Sequence, residues 1–192
     1  MENSKATDSF TSEIIVRPGL AETTFAIGVY IFECYDKDGN LKWTAEGKNR
    51  VVNVGLAYMA GVGLDPTTSK TTPWYIGLVG AAASNQFNAT DTLATHPAAG
   101  AGGWTEINPY SGNRPAAVFV APVAANPAVV TNSASKAQYT ITSATTVGGA
   151  FLCSVPSGTS GLLFSGNVFT GGDRTVAIND TLQVQYNFNL AN

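Results

Sequence analysis

The stretch that most constrains the fold is residues 25–45, which the sequence predicts to be a β-hairpin. Residues 25–35 are almost all apolar, aromatic or β-branched, a composition that favours a strand over a helix. Residues 36–40 predict a turn, because Asp and Asn tolerate positive φ and Gly39 adopts it without steric cost. From Leu41 apolar and polar residues alternate. One face of this pair needs an apolar cover, and since no long amphipathic helix is evident, we expect another sheet.

Short strand patterns continue to the end of the chain. Turns separate most of them, and only residues 53–63 read as a sizeable helix, with Asn53 as its N-cap. Strand follows strand without regular helical crossovers, which disfavours a parallel βαβ fold. The sequence therefore predicts an all-β, two-sheet sandwich of the jelly-roll or immunoglobulin-like type. The clearest strand lies near the C-terminus, where polar uncharged residues alternate with Leu182, Val184, Tyr186, Phe188 and Leu190.

Residues 1–24 differ in composition from the rest of the chain. The first twelve are polar, small and mixed in charge, and a short extended candidate at 13–16 is stopped by Arg17 and Pro18. We therefore divide the chain into an extended N-terminal arm, residues 1–24, and a β-sandwich domain, residues 25–192. Two interpretations of the arm stay open: it orders against a neighbouring subunit, or it is a frayed terminus.

The charge content excludes several classes of partner. Charged residues make up 12% of the chain, against ~25% in typical soluble domains, and the net charge is −3. The sequence lacks the basic cluster of a nucleic-acid binder, an apolar run that could span a membrane, and a secretory signal pattern. We expect a protein that is made and assembled in a cytoplasm, with Cys34 and Cys153 as reduced, buried thiols.

Residues 115–172 contain a single charged residue, Lys136. Such a stretch is hard to explain on a free monomer, and it predicts an interface between copies of the chain in a dimer or trimer. The alternative is an ordinary all-β protein that is rich in threonine and in glycine turns.

The residue inventory does not support catalysis, and we expect no enzyme, metal, cofactor or small-molecule substrate. The one histidine, His96, lies in a loop without a recognisable nucleophile motif, and one His with two distant Cys cannot form a zinc site. Asp36, Asp38 and Asn40 resemble the start of a calcium loop, but the Gly at its sixth position and the later Glu are missing. Spacing selects no catalytic pair among Glu33, Glu46, Glu106, Asp91 and Asp173.

Five residues are candidates for an interface with a partner: Arg17, Pro18, Trp104, Tyr110 and Arg114. A loop arginine near aromatic residues is typical of interface hot spots, although Arg114 could instead stack on a tyrosine of its own domain. A sugar-stacking platform could be formed by Trp74, Tyr75, Trp104 and Tyr110, but strand aromatics more often belong to the core.

Six segments together resemble a family of small virion proteins from tailed bacteriophages, and the resemblance covers nearly all of residues 26–190. It implies a β-rich, non-enzymatic particle component found in the virion and assembled in the host bacterial cytoplasm. It does not decide between the capsid surface and the tail apparatus. The N-terminal segment, the low charge density and the polar uncharged strands favour a cement or decoration protein that binds the major capsid protein and copies of itself. The alternative is a tail or fibre adaptor or a receptor-binding module. The segments are VVNVGLAYM, WYIGLVG, DTLATH, GWTEINPYSGNRPA, ITSATTVGGAFLCS and NDTLQVQYNF, of which GWTEINPYSGNRPA is the most specific.

Overall fold

The computed structural model describes residues 25–81, 86–95 and 103–191. The predicted arm, including Arg17 and Pro18, lies outside these residues, as does His96. Thirteen strands and one helix lie within them: β1 (Phe25–Tyr35), β2 (Leu41–Lys48), β3 (Arg50–Val51), α1 (Asn53–Leu64), β4 (Trp74–Val79), β5 (Glu106–Ile107), β6 (Ala116–Ala117), β7 (Ala128–Thr131), β8 (Ala137–Thr140), β9 (Thr145–Val147), β10 (Gly149–Cys153), β11 (Leu163–Val168), β12 (Arg174–Val176) and β13 (Thr181–Ala191).

Two antiparallel sheets pack against each other, which confirms the predicted all-β sandwich. The first sheet has the order β2-β1-β13, and both β7 and β8 pair with the other side of β13. The second has the order β3-β11-β10-β4, with β5 and β6 both along the outer side of β4. Strands β9 and β12 form a separate two-stranded sheet. The first and last long strands, β1 and β13, are thus neighbours at the centre of the first sheet.

The predicted hairpin is present as β1 and β2. Asp36 Oδ1 accepts hydrogen bonds from the backbone N–H groups of Asp38 and Asn40, both at 2.9 Å, and Gly39 takes a φ of +84°. These bonds close the turn within the chain, so the Asp36 carboxylate has a structural role in the hairpin. A register shift follows at Cys34 and Tyr35, where β2 carries one extra residue.

Period-two burial builds the core. On β13 the side chains of Leu182, Val184, Tyr186 and Phe188 are buried, and the residues between them are half-buried on the opposite face. Strand β1 repeats this pattern from Tyr30 onward. Each large apolar side chain that is removed from water in this way contributes about 1.5–3 kcal/mol.

Helix α1 begins differently from the prediction. Val52 occupies the N-cap position and no side chain caps the helix, so the assignment of Asn53 as the N-cap is wrong. Tertiary bonds replace the cap: Val52 N donates to Phe164 O at 3.2 Å and Asn53 N to Ala89 O at 2.7 Å. The helix packs closely on β11, because a Cβ at Gly55 would lie 2.3 Å from Phe164 O.

The chain leaves the first sheet between β7 and β8, at residues 132–136. The side chain of Asn132 fills the gap, since its Oδ1 accepts from Tyr186 N at 2.7 Å and its Nδ2 donates to Val184 O at 3.3 Å. The central strand β13 therefore keeps hydrogen-bond partners where β7 and β8 are interrupted.

Candidate interaction surfaces

The residues singled out at positions 104–114 form a buried cluster around an ion pair. Arg114 Nε donates to Glu106 Oε1 at 2.7 Å, and its second terminal nitrogen donates to Glu106 Oε2 at 2.6 Å. The guanidinium also donates to Val155 O at 3.0 Å and to Gly158 O at 2.9 Å, and it lies 5.2 Å from the centre of the Phe151 ring. Arg114 thereby ties the 104–114 segment to the turn that follows β10.

Arg114 keeps its charge although its side chain is only 3% exposed. Burial acts to lower the pKa of the guanidinium, but the hydrogen bonds to Glu106 and the neighbouring negative groups raise it further, and the net effect is an increase. A bidentate, fully hydrogen-bonded pair of this kind is the arrangement in which a buried charge is tolerated.

Trp104 and Tyr110 are core residues. Trp104 is 0% exposed and stacks on Phe87 at 4.6 Å between ring centres, with Phe151 4.7 Å away. Tyr110 is 7% exposed and packs edge-on against Tyr139 at 4.8 Å.

The structure thus buries Trp104, Tyr110 and Arg114, but it places Trp104 and Tyr110 in two different hydrophobic clusters, and Arg114 lies on the Phe151 ring of the Trp104 cluster. None of the three presents a side chain to a partner, so the expectation of an interface at these positions is replaced by a structural role. Arg114 does stack on an aromatic ring of its own domain, but the ring belongs to Phe151 rather than to a tyrosine. Arg114 is buried because it forms a salt bridge with Glu106, and the sequence alone did not indicate this partner.

A first surface is the outer face of strands β1 and β13, which we call the amide face; the exposed Glu46 and Lys48 of β2 border it. Along its centre β13 presents Thr181, Gln183, Gln185, Asn187 and Asn189, all half-buried. The paired outer positions of β1 include apolar residues, since Val29 lies opposite Asn187 and Ile31 opposite Gln185. The face therefore mixes amide donors and acceptors with aliphatic area.

The one charged residue of the 115–172 stretch lies on this face and is neutralised there. Lys136 Nζ donates to Glu33 Oε1 at 2.8 Å, and Tyr35 Oη donates to Glu33 Oε2 at 2.7 Å. The hydrogen bond from Lys136, followed by that from Tyr35, lowers the pKa of Glu33. The centre of the amide face consequently carries no net charge.

A second surface is formed by residues 116–127, which we call the ribbon. This segment reads AAVFVAPVAANP and contains no charged residue. The sequence predicts a strand over 116–120, but only β6 pairs with β4, and Val120 makes an isolated bridge to Thr131. The outward valines are strongly exposed: Val118 by 57%, Val120 by 52% and Val123 by 73%.

An apolar groove runs beside the ribbon. A cavity of about 450 Å³ lies between residues 70–73 and residues 117–122, with Trp74 and Val130 in its lining. A smaller cavity of about 140 Å³ adjoins it, and the two share Trp74, Phe119 and Val130. We call the two together the groove; the inner cavity reaches Tyr58 and Met59 of α1.

Helix α1 extends this apolar surface. It contains no charged residue, and among its twelve positions only Gly55 is buried. Val62 lies one helical turn beyond Tyr58 and is exposed, and Leu64 at the end of the helix is 90% exposed. A helix that is apolar on all sides is normally covered, so its exposure marks a surface that is suited to a partner.

Nothing in the described ranges points to a metal or redox centre. No group of three or more Cys, His, Asp or Glu side chains there could hold a metal ion. Cys34 and Cys153 are buried free thiols, and burial, followed by the charge of Asp180, raises the pKa of Cys34 to about 12. No helix in this part of the chain combines the length and apolar character that a bilayer span requires.

Sequence reasoning missed the ribbon and the groove as a site. The signal was present in the low charge of residues 115–172, but the valines at 118, 120 and 123 read equally well as core strand residues. Only the fold shows that they face outward. In comparisons with known proteins, the chain matches no family model, and no curated protein or solved structure matches it significantly.

Proposed function

We propose that this chain is a non-enzymatic structural component of a tailed-phage particle, which binds the capsid surface and stabilises it. The observation that carries the proposal is the amide face, a continuous sheet surface whose centre has no net charge. The resemblance of six segments to small phage virion proteins supports a component of the particle and does not itself distinguish the capsid from the tail apparatus.

The chemistry of the amide face suits a large protein partner. The side chains of Gln183, Gln185, Asn187 and Asn189 offer both donors and acceptors, and Ile31 and Val29 supply apolar area between them. Protein interfaces combine apolar contact with about one hydrogen bond per 100–200 Å², and they lack charged residues at the centre. Covering this face buries no unpaired charge, because the Glu33–Lys136 pair is already formed in the free chain.

A protein of this kind stabilises a shell by mass action. If it binds the assembled capsid and not the separated subunits, every bound copy adds its binding free energy to the assembled state alone. The chain needs no catalytic residue for this role, only a surface that spans more than one capsid subunit.

The alternative, a tail or fibre adaptor or a receptor-binding module, relied on Trp104 and Tyr110 as a platform for a sugar. Both side chains are buried against aromatic neighbours. This burial counts against a sugar platform at these two residues; the notion of a tail or fibre adaptor does not depend on them.

The test is co-sedimentation of the purified chain with empty capsids of the phage that encodes it. We expect saturable binding and a higher disruption temperature of the shell. Gln185→Arg, at the centre of the amide face, should weaken binding about tenfold or more by burying an unpaired charge. Thr159→Arg in the exposed loop after β10 is the matched control and should bind like the unmodified chain.

Absence of capsid binding, or equal binding by the Gln185→Arg variant, would contradict the proposal. Binding to purified tails instead of capsids would support the adaptor alternative.

A further inference from the structure

The ribbon and the groove lie side by side on one surface, and both are mainly apolar. The ribbon projects Val118, Val120 and Val123, whereas the groove beside it is a recess floored by Trp74 and Val130. Residues 117–122 are themselves one wall of the groove, so the projection and the recess are adjacent.

The ribbon is held in place although it belongs only briefly to a sheet. Its first residues pair with β4 as β6, and Val120 N donates to Thr131 O at 2.9 Å. Phe119 points inward, with its ring 6.2 Å from that of Tyr186. The alternation of strand geometry then directs Val118 and Val120 outward, which fixes the apolar projection in one orientation.

We propose that this surface is a contact between two copies of this chain, in which the ribbon of each copy lies in the groove of the other. A two-fold axis makes such a contact reciprocal, because the same surface of each copy then faces the other and each projection lies over the partner's recess. Each copy then buries the exposed valines of the ribbon and the exposed apolar residues of α1 in one step.

A second copy fits this surface for an electrostatic reason as well. The ribbon and α1 carry no charge, and Lys70 is the only charged residue in the groove lining that the structure describes. Two identical surfaces of this composition meet without strong repulsion between like charges, whereas a charged partner would find no complementary group.

The contact leaves the amide face free. The side chains that line the groove from β13, Tyr186 and Phe188, point into the sandwich, and the outer positions of that strand point the other way. The proposal therefore does not depend on capsid binding, and a dimer would present two amide faces.

Sedimentation velocity of the full chain from 1 to 100 µM tests the proposal. We expect a concentration-dependent dimer, and we expect Val123→Asp to raise its dissociation constant about tenfold or more, because a carboxylate would be buried without a partner. Ile178→Asp is the matched control: Ile178 is also an exposed aliphatic residue, 58% accessible, but it lies in the loop between β12 and β13. It should leave the dimer unchanged.

Cysteine cross-linking tests the reciprocal geometry. When Val123→Cys and Thr71→Cys proteins are mixed and oxidised, a disulfide should join one variant to the other, since Thr71 lines the groove. The natural thiols Cys34 and Cys153 are buried and give little background. Ile178→Cys mixed with Thr71→Cys is the control and should not cross-link.

A monomer throughout the concentration range would overturn the proposal, as would a dimer that survives Val123→Asp. A dimer that is lost in Ile15→Asp but kept in Val123→Asp would assign the groove to the N-terminal segment and equally overturn it. A stable species of three copies without cross-links from residue 123 to residue 71 would show that self-association uses another surface.

Discussion

Residues 104–114 and residues 116–127 are close neighbours in the chain, yet the fold treats them in opposite ways. The first segment contains Glu106 and Arg114, and both are withdrawn from solvent. The second contains only apolar and small residues apart from Asn126, and most of it is exposed. Composition alone would have placed residues 116–127 in the core and the charged residues of 104–114 at the surface.

The difference shows what each segment contributes. Arg114 can be buried because its guanidinium donates to four oxygen atoms and lies over one aromatic ring. These contacts connect residues 104–114 with β10 and with the turn that follows it. The ribbon lacks such partners, and its valines stay in water at a cost of roughly 25 cal/mol per Å² of apolar area. An apolar surface that is exposed in the free chain gains this free energy when a partner covers it.

The largest effect is expected from breaking the buried pair. Arg114→Met should lower the free energy of unfolding by about 3–5 kcal/mol, because it leaves the Glu106 carboxylate, which is only 10% exposed, without its cationic partner and removes the hydrogen bonds to Val155 O and Gly158 O. Urea unfolding measures the change. Lys37→Met, which removes a cation that pairs with Asp38 in the exposed turn, is the control and should cost less than about 1 kcal/mol.

A second variant separates a lost pair from a stranded charge. Arg114→Met combined with Glu106→Leu should recover part of the stability, since neither partner then remains charged. If the double variant is as unstable as the sum of two independent losses, the cluster is not acting as a pair.

The elements that sequence reasoning found are those with a strong local signal. The hairpin and β13 follow from period-two alternation and from the turn chemistry at Asp36 and Gly39. Strands β3 and β12 were missed, because two or three residues carry no periodicity and exist only through their partners β11 and β9.

The sheet order and the candidate site depend on contacts that are distant in sequence. Phe25 pairs with Ala191, and no local pattern connects them. In the same way, the ligands of Arg114 come from β5 and from the turn after β10, so that the sequence showed an arginine among aromatic residues but not its burial. The low charge of residues 115–172 predicted an interface, which stays a prediction, and it did not indicate which side of each strand would face outward.

A smaller loss of stability is expected from Asn132, whose side chain pairs with β13 where the neighbouring strands β7 and β8 are interrupted. Asn132→Ala should cost about 1–3 kcal/mol, because Tyr186 N and Val184 O would lose their partner at the centre of the first sheet. Urea unfolding and amide exchange at residues 184–186 measure it. Ser133→Ala, in the same exposed excursion, is the control and should change little. Unchanged protection of Tyr186 N–H in Asn132→Ala would contradict this role.

The Glu33–Lys136 pair on the amide face should make a still smaller, pH-dependent contribution to the free energy of unfolding. The pKa of Glu33 is lowered in the folded chain, so its stabilising contribution is present above the unfolded-state value of about 4.3 and is lost as the pH falls through the lower folded-state pKa. Because both side chains are about a quarter exposed, we expect at most about 1 kcal/mol. The difference in unfolding free energy between the unmodified chain and Lys136→Met should shrink from pH 6 to pH 3. A difference that is constant over this range would contradict the assignment.

The smallest effect on the stability of the single chain is expected from the ribbon, and this sharpens the comparison with residues 104–114. Val123→Asp and Val118→Asp should each change the unfolding free energy of the monomer by less than about 0.5 kcal/mol, since surface substitutions that touch no buried contact rarely exceed this value. Urea unfolding at a concentration where the chain is monomeric measures it, and Phe119→Asp, at the inward position between Val118 and Val120, should be strongly destabilising. A large loss in Val123→Asp would mean that the ribbon packs on its own chain, and the contrast between the two segments would disappear. Little change there, together with weaker self-association, is the combination that distinguishes an apolar surface kept for a partner from an apolar core.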